Sequence, residues 1–166
     1  MDASDRAEQA PVKASLWVWL ATACGLGRLP WAPGTWGSVA GLAVGWAAAG
    51  RLSSAALAAA LLASFVACAW VSGRAEREMK RHDPLDVVLD EVWGMATILL
   101  VLPTAAATWP RLLLTFVLFR CFDTLKPPPL KLLARLPGGW GIMADDAGAA
   151  GYALAITWLV LRAGWL

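Results

Sequence analysis

The longest uninterrupted apolar stretch of the chain, residues 55–72, holds eighteen uncharged residues, mostly Ala and Leu. As a helix rising about 1.5 Å per residue it covers roughly 27 Å, close to the thickness of bilayer hydrocarbon. Residues 147–164 form a second such stretch, charged only at Arg162, whose long side chain can reach an interface while its stem stays in apolar surroundings. A third apolar segment, 92–103, begins inside the polar stretch before it, and Pro103 and Pro110 bracket a turn into a helix over 111–124. Residues 36–49 make a further helix. These last two fall below the length of about twenty residues expected of a lone span, which implies burial against neighbours or a locally thinned bilayer. Residues 16–24 are apolar but too few to cross, and read as an interfacial or docked helix. The pattern predicts an all-α fold: a multi-helix integral membrane bundle of about five membrane-embedded helices plus an N-terminal interfacial helix, in one domain over 15–166. Residues 1–14 are polar and of mixed charge, without the apolar run of a signal peptide, and are expected to stay attached as a disordered tail.

Composition points the same way, since 59% of the 166 residues are hydrophobic and only 16% charged, well outside ordinary globular usage. Eleven Trp stand against one Tyr. Trp36, Trp70, Trp93, Trp109 and Trp165 lie near the ends of apolar runs, where an indole can sit at headgroup level; the alternative is that they fill the core. A net charge of +2 is too small for a nucleic-acid footprint. Cys24, Cys68 and Cys121 are widely separated in or beside apolar runs, which argues against a disulfide framework or zinc site and for reduced, buried thiols.

Five crossings place the sparsely charged loops 50–54 and 104–110 and the end after Gly164 on one side. The other side receives 25–35, 74–90 and 123–146, with Arg74, Arg77, Lys80, Arg81, Lys126, Lys131 and Arg135. The positive-inside tendency makes that side cytoplasmic. Asp83, Asp86, Asp90, Glu91, Asp123, Asp145 and Asp146 all arrive there too.

Four blocks carry candidate chemistry. In the first, 82–94, the adjacent acids Asp90 and Glu91 lead straight into an apolar helix. An ionised carboxylate at the edge of hydrocarbon needs a cation or a dense set of hydrogen bonds, although acids also favour a helix N-terminus through its dipole. In the second, 119–129, Arg120, Asp123 and Lys126 recur every third residue on one helix face. This is either an ordinary salt bridge or two cations placed for a phosphate, held bidentately by guanidinium and as a point charge by ammonium. In the third, 138–148, a glycine-rich approach leads to Asp145 and Asp146 at the mouth of the last helix, where paired acids either cap the helix or coordinate metal. Oxygen-only ligands point to a hard ion, and magnesium typically takes a few carboxylates plus substrate phosphate. In the fourth, 25–38, a Pro- and Gly-punctuated loop opens a helix. Its N–H groups, with the hydroxyls of Thr35 and Ser38, would face a phosphate, unless the loop is simply a turn and cap.

Together and in this order the blocks resemble the phosphatidylglycerophosphatase A family. The match runs through Pro33-Gly34-Thr35 with Gly37-Ser38, Asp90-Glu91 with Gly94, and Phe119-Arg120 with Asp123 and Lys126-Pro127. It ends on Gly138-Gly139 with Gly141-Ile142-Met143 and Asp145-Asp146, and covers about residues 25–151. One departure is Leu89, where the family often places an aromatic. The resemblance implies an all-helical, magnesium-dependent enzyme that hydrolyses phosphatidylglycerophosphate to phosphatidylglycerol and phosphate at the cytoplasmic face of a bacterial inner membrane, with phospholipid and bilayer as partners. On this reading Asp90, Glu91, Asp145 and Asp146, with Asp123 direct or through another ligand, hold Mg2+. Arg120, Lys126, Gly34, Thr35 and Ser38 receive the phosphate. Asp83, in a His82-Asp83 pair seen in some members, is a lesser ligand candidate. The attacking group is a water or, alternatively, an aspartate that becomes phosphorylated.

Rival chemistries are weaker. Cys68 and Arg74 have the Cys-x5-Arg spacing of cysteine-dependent phosphatases, but the cysteine sits in an alanine-rich helix without a phosphate-cradling glycine series. Histidine-based lipid phosphatases need more than one histidine, and the chain has only His82, read as a solvated surface residue. A small transporter would need acids near mid-membrane, whereas these gather at one interface; a headgroup-binding scaffold would use the same cluster without releasing phosphate.

Overall fold

In a computed structural model of the chain, residues 15–102 and 108–164 are described. The expected tail over 1–14, most of the turn over 103–110, and Trp165 lie outside them. Every regular element among the described residues is helical, as the hydrophobic pattern requires.

Helix α1 (Leu16–Ala21) is capped by Ser15, whose Oγ accepts the Val18 N–H at 3.2 Å. A 3-10 turn (Leu26–Arg28) then leads to α2 (Pro33–Ala48), which starts on a proline whose missing N–H costs nothing there. Helix α3 (Ser54–Met79) is capped by Ser53 and stops where Lys80 turns left-handed. Helices α4 (Leu89–Val101) and α5 (Trp109–Leu125) follow. Pro110 falls inside the first turn of α5, and that helix ends at left-handed Lys126, before three prolines that cannot continue it. The short α6 (Leu130–Leu133) and the long α7 (Gly139–Arg162) complete the chain.

Helix α4 lies at the centre. It meets α2 along Gly37, Gly41 and Gly45, which recur every four residues and so share one face. A Cβ on Gly41 would stand 2.5 Å from the Val92 carbonyl oxygen and 2.9 Å from Met95 Cβ, so the two helices touch backbone to side-chain stem. On its other side α4 meets α7, and Met95, Ile98, Phe119, Leu130, Ala149 and Ala153 form the main core. Helix α5 is joined to α7 by the Thr115 and Thr157 hydroxyls, 3.1 Å apart and fully buried.

Among the described residues one helix, α3, is long and apolar enough to cross a membrane. Only 6% of its most apolar eighteen residues are buried within the protein. Its apolar side chains thus face outward, unlike those of a soluble core helix. Length and composition do not extend this to five spans. Helices α2, α4 and α5 have 16, 13 and 17 residues, and the 24-residue α7 carries Asp145, Asp146 and Arg162.

Three expectations need correcting. The glycine-rich approach to the last helix is helical from Gly139, so Asp145 and Asp146 sit about two turns inside α7 rather than at its mouth. Gly139 is small because α3 crosses there, where a Cβ would run into the Ala69 carbonyl, while a Cβ on Gly141 would run into the Leu136 and Ala134 carbonyls. The thiols are free but not all buried, since Cys24 and Cys121 are exposed. Of the tryptophans, Trp36, Trp70 and Trp109 are exposed, which disfavours a core-filling role, whereas Trp93 turns inward and donates to Ser64 Oγ at 3.0 Å.

Candidate active site

The N-termini of α2 and α4, the C-terminus of α5 and the second turn of α7 meet around one cavity of about 310 Å³. Helix α4 supplies Asp90 and Glu91 from its first turn. That turn is anchored by the Val88 N–H, which donates to the Ala21 carbonyl at 3.0 Å. Helix α7 supplies Asp146, so that one carboxylate oxygen each from Asp90, Glu91 and Asp146 lie within 4.8 Å of one another. Asp90 and Asp146 are buried. Two like charges 4.8 Å apart repel by about 3.5 kcal/mol at an effective dielectric constant of about 20. Such a trio needs either protons or a cation between its members.

The cations present are already engaged. Arg120 Nη1 donates to Asp123 Oδ2 at 2.6 Å and lies 3.6 Å from Glu91 Oε1. Lys126 Nζ donates to Asp145 Oδ2. Burial opposes the charge on Lys126, but the hydrogen bond and attraction from Asp145 outweigh it and hold the ammonium pKa up at about 12. Even with these pairs, Asp90 Oδ1, Glu91 Oε2, Asp145 Oδ1 and Asp146 Oδ2 are buried without a hydrogen-bond partner. Three of these orphaned oxygens, on Asp90, Glu91 and Asp146, belong to residues lining one cavity; a hard divalent cation would satisfy them, and with oxygen as the only donor type the set fits magnesium.

The acids expected from the sequence thus divide. Asp90, Glu91 and Asp146 converge; Asp123 serves Arg120; Asp145 faces Lys126. Asp83 lines the cavity from the loop before α4, with a left-handed backbone (φ 47°). Its N–H reaches Glu76 Oε1 at 3.4 Å, and the same oxygen lies 2.6 Å from His82 Nδ1. His82 is 75% exposed, as expected of a surface residue.

On α2, Gly34 lines the cavity, and a Cβ there would collide with Glu91 Oε1 and approach the Arg120 guanidinium nitrogens at 2.8 and 2.9 Å. Ser38 is fully buried and donates to the Gly34 carbonyl at 2.8 Å. The Thr35 N–H donates to Ala32, and neither Thr35 nor Ser38 lines the cavity. Sequence reasoning missed Thr124 and Leu85 in the lining and Glu76 behind it. Thr124 adjoins Asp123 within a block already singled out, but nothing in the sequence marks Glu76 as reaching the 80–88 loop.

The family model for phosphatidylglycerophosphatase A matches residues 19–161. A Haemophilus influenzae protein named phosphatidylglycerophosphatase A is 34% identical over 142 residues, covering 85% of this chain and 86% of its own. An Escherichia coli protein of the same name is 31% identical over 145 residues, 87% of this chain and 83% of its own. A Bacteroides thetaiotaomicron protein, provisionally named a phosphatidylinositol-3-phosphatase, is 33% identical over 153 residues, 90% of this chain and 94% of its own. No solved structure matches the chain. With a match that runs from the second half of α1 through nearly all of α7 and includes every acid of the cavity, this chain belongs to the phosphatidylglycerophosphatase A family.

Proposed function

We propose that this protein hydrolyses the phosphate monoester of phosphatidylglycerophosphate, yielding phosphatidylglycerol and phosphate, with magnesium held by Asp90, Glu91 and Asp146. The observation that carries the reading is the acid trio, two of its members buried and each with an orphaned oxygen, set beside Arg120 and Lys126 in one cavity. The names of the Haemophilus influenzae and Escherichia coli relatives supply the substrate.

When bound, magnesium supplies Lewis acidity to the phosphoryl group and offsets the charge of the three acids. The chain's own groups do the rest. Arg120, with one nitrogen fixed by Asp123, has further N–H donors for phosphoryl oxygens. Lys126 brings a fixed ammonium to the same cavity, so negative charge developing on the phosphoryl group meets cations that need no rearrangement. Asp145 holds Lys126 in place. The attacking group is a water, and trapping a phosphoenzyme would replace it with an aspartate.

The site opens at the N-terminal ends of α2 and α4 and the C-terminal end of α5, rather than halfway along the bundle. That placement favours a lipid headgroup at one leaflet over an ion path. The wider reading is a bundle of about five membrane-embedded helices in a bacterial inner membrane, its site at the cytoplasmic face. The outward apolar face of α3 and the basic residues Arg74, Arg77, Lys80 and Arg81 around its inner end support it.

The test is phosphate release by purified protein from phosphatidylglycerophosphate, with and without magnesium, beside phosphatidylinositol 3-phosphate as competing substrate. Magnesium-dependent release from phosphatidylglycerophosphate, lost by at least about a hundredfold in Asp90→Asn and Asp146→Asn, is the expected result. Full activity in both variants removes the ligand assignment. Faster turnover of phosphatidylinositol 3-phosphate removes the substrate assignment alone.

A further inference from the structure

The loop between α3 and α4 is firmly anchored at both ends, yet it leaves one large apolar side chain in the open. At its start, Glu76 on α3 bonds the Asp83 N–H and pairs with His82 Nδ1. At its end, the Val87 N–H donates to the Pro84 carbonyl at 2.9 Å and the Val88 N–H to Ala21 at 3.0 Å. Pro84, Val87 and Val88 are buried, the valines to 4% and 0% exposure. Leu85 is 84% exposed and lines the mouth of the acidic cavity. A slack loop could tuck a leucine away; this one is pinned so that it cannot. Ala32 and Pro33 add further apolar surface to the lining, with Trp31 beside them 81% exposed, next to the exposed polar side chains of Asp83 and Thr124.

The cavity lining is therefore amphiphilic, with Asp90, Arg120 and Lys126 buried or half-buried and the apolar Leu85 and Ala32 among its exposed residues. A soluble phosphate monoester would use the first set and leave the second in water. A monoester whose phosphate is attached to acylated glycerol would cover both.

We propose that Leu85 is a specificity residue, the apolar contact by which the cavity mouth engages the acyl-glycerol part of a lipid phosphate monoester. This rests on the phosphatase reading above. Because Leu85 is exposed and its loop is anchored elsewhere, replacing it leaves the acids, Arg120 and Lys126 in place.

The experiment compares wild type, Leu85→Ser and Leu85→Met, as full-length protein in detergent micelles, on phosphatidylglycerophosphate and on glycerol 3-phosphate. Leu85→Ser is expected to lower kcat/KM for the lipid by roughly tenfold, mainly through KM, with the glycerol 3-phosphate rate unchanged and Leu85→Met near wild type. In parallel, p-benzoylphenylalanine placed at position 85 should photocrosslink to give an adduct of one phospholipid mass. Equal losses on both substrates, an unchanged lipid KM, or a crosslink only to a second copy of the chain would each overturn the proposal. Absence of phosphate release by the wild type would instead defeat the phosphatase reading, and the crosslink would still report on the lipid contact.

Discussion

Gly34→Ala separates catalysis from stability at this site. The added methyl enters the space between Glu91 Oε1 and the two terminal nitrogens of Arg120, which stand 2.8 and 2.9 Å from the new Cβ. Ordinary contact begins near about 3.4 Å, so the guanidinium must retreat by about 0.6 Å and Glu91 by more. Both neighbours are ends of flexible side chains, and both can move. Gly34 is helical, so alanine also gains up to about 1 kcal/mol of helix propensity. Net stability should thus stay within about 1 kcal/mol of wild type. The displaced groups, however, are a member of the acid trio and the guanidinium offered to phosphate. A misplacement approaching 1 Å at a reacting centre costs about a hundredfold in rate, or roughly 2.7 kcal/mol of activation free energy. The assay is steady-state phosphate release from phosphatidylglycerophosphate alongside thermal unfolding followed by tryptophan fluorescence. Activity within threefold of wild type at unchanged stability would refute the placement of Glu91 and Arg120 in the working site. Loss of activity together with gross destabilisation would show that the contact is not compliant.

Other consequences follow from the same geometry. Lys126→Met leaves Asp145 buried without its partner and should destabilise the protein by about 3 kcal/mol, read as a lower urea midpoint; adding Asp145→Leu should restore stability but not activity. Magnesium at about one hundred times its dissociation constant should stabilise wild type by about 2.7 kcal/mol, raising Tm, and should leave Asp90→Asn and Asp146→Asn unmoved; an equal rise in those variants would point to binding elsewhere. Gly41→Ala puts a methyl 2.5 Å from a rigid backbone carbonyl and should cost about 2–3 kcal/mol, whereas Gly151→Ala, with nothing within 4 Å, should be neutral or slightly stabilising in the same melts.

What the sequence made legible depended on whether one element or several decided the outcome. The helix over 55–72 was readable because eighteen uncharged, mostly apolar residues fix its character locally, and the structure extends it to Met79 through exposed Arg74, Arg77 and Glu78, with Glu76 turned to the 80–88 loop. The acids Asp90 and Glu91 were readable for the same reason: carboxylates entering an apolar helix demand a partner. What was not readable was partnership. Asp145 and Asp146 are neighbours in sequence, but consecutive helical residues point about 100° apart, so one turns to Lys126 and the other to Asp90 and Glu91. Ser38 was expected at phosphate because it follows a glycine-rich turn, but α2 begins at Pro33 and carries it past the opening into the face packed on α4. Glycines misled in a consistent way. Those before Asp145 suggested a flexible loop, yet Gly139, like the α2 stripe, is small so that two helices can touch. Where two helices cross, small residues let their backbones approach closely and gain van der Waals contact. A glycine there marks a helix crossing more reliably than a hinge. The helices that carry the acids are packed by crossings close to them: α4 meets α2 where Gly41 faces Val92, next to Glu91, and α7 meets α3 at Gly139, about two turns before Asp145.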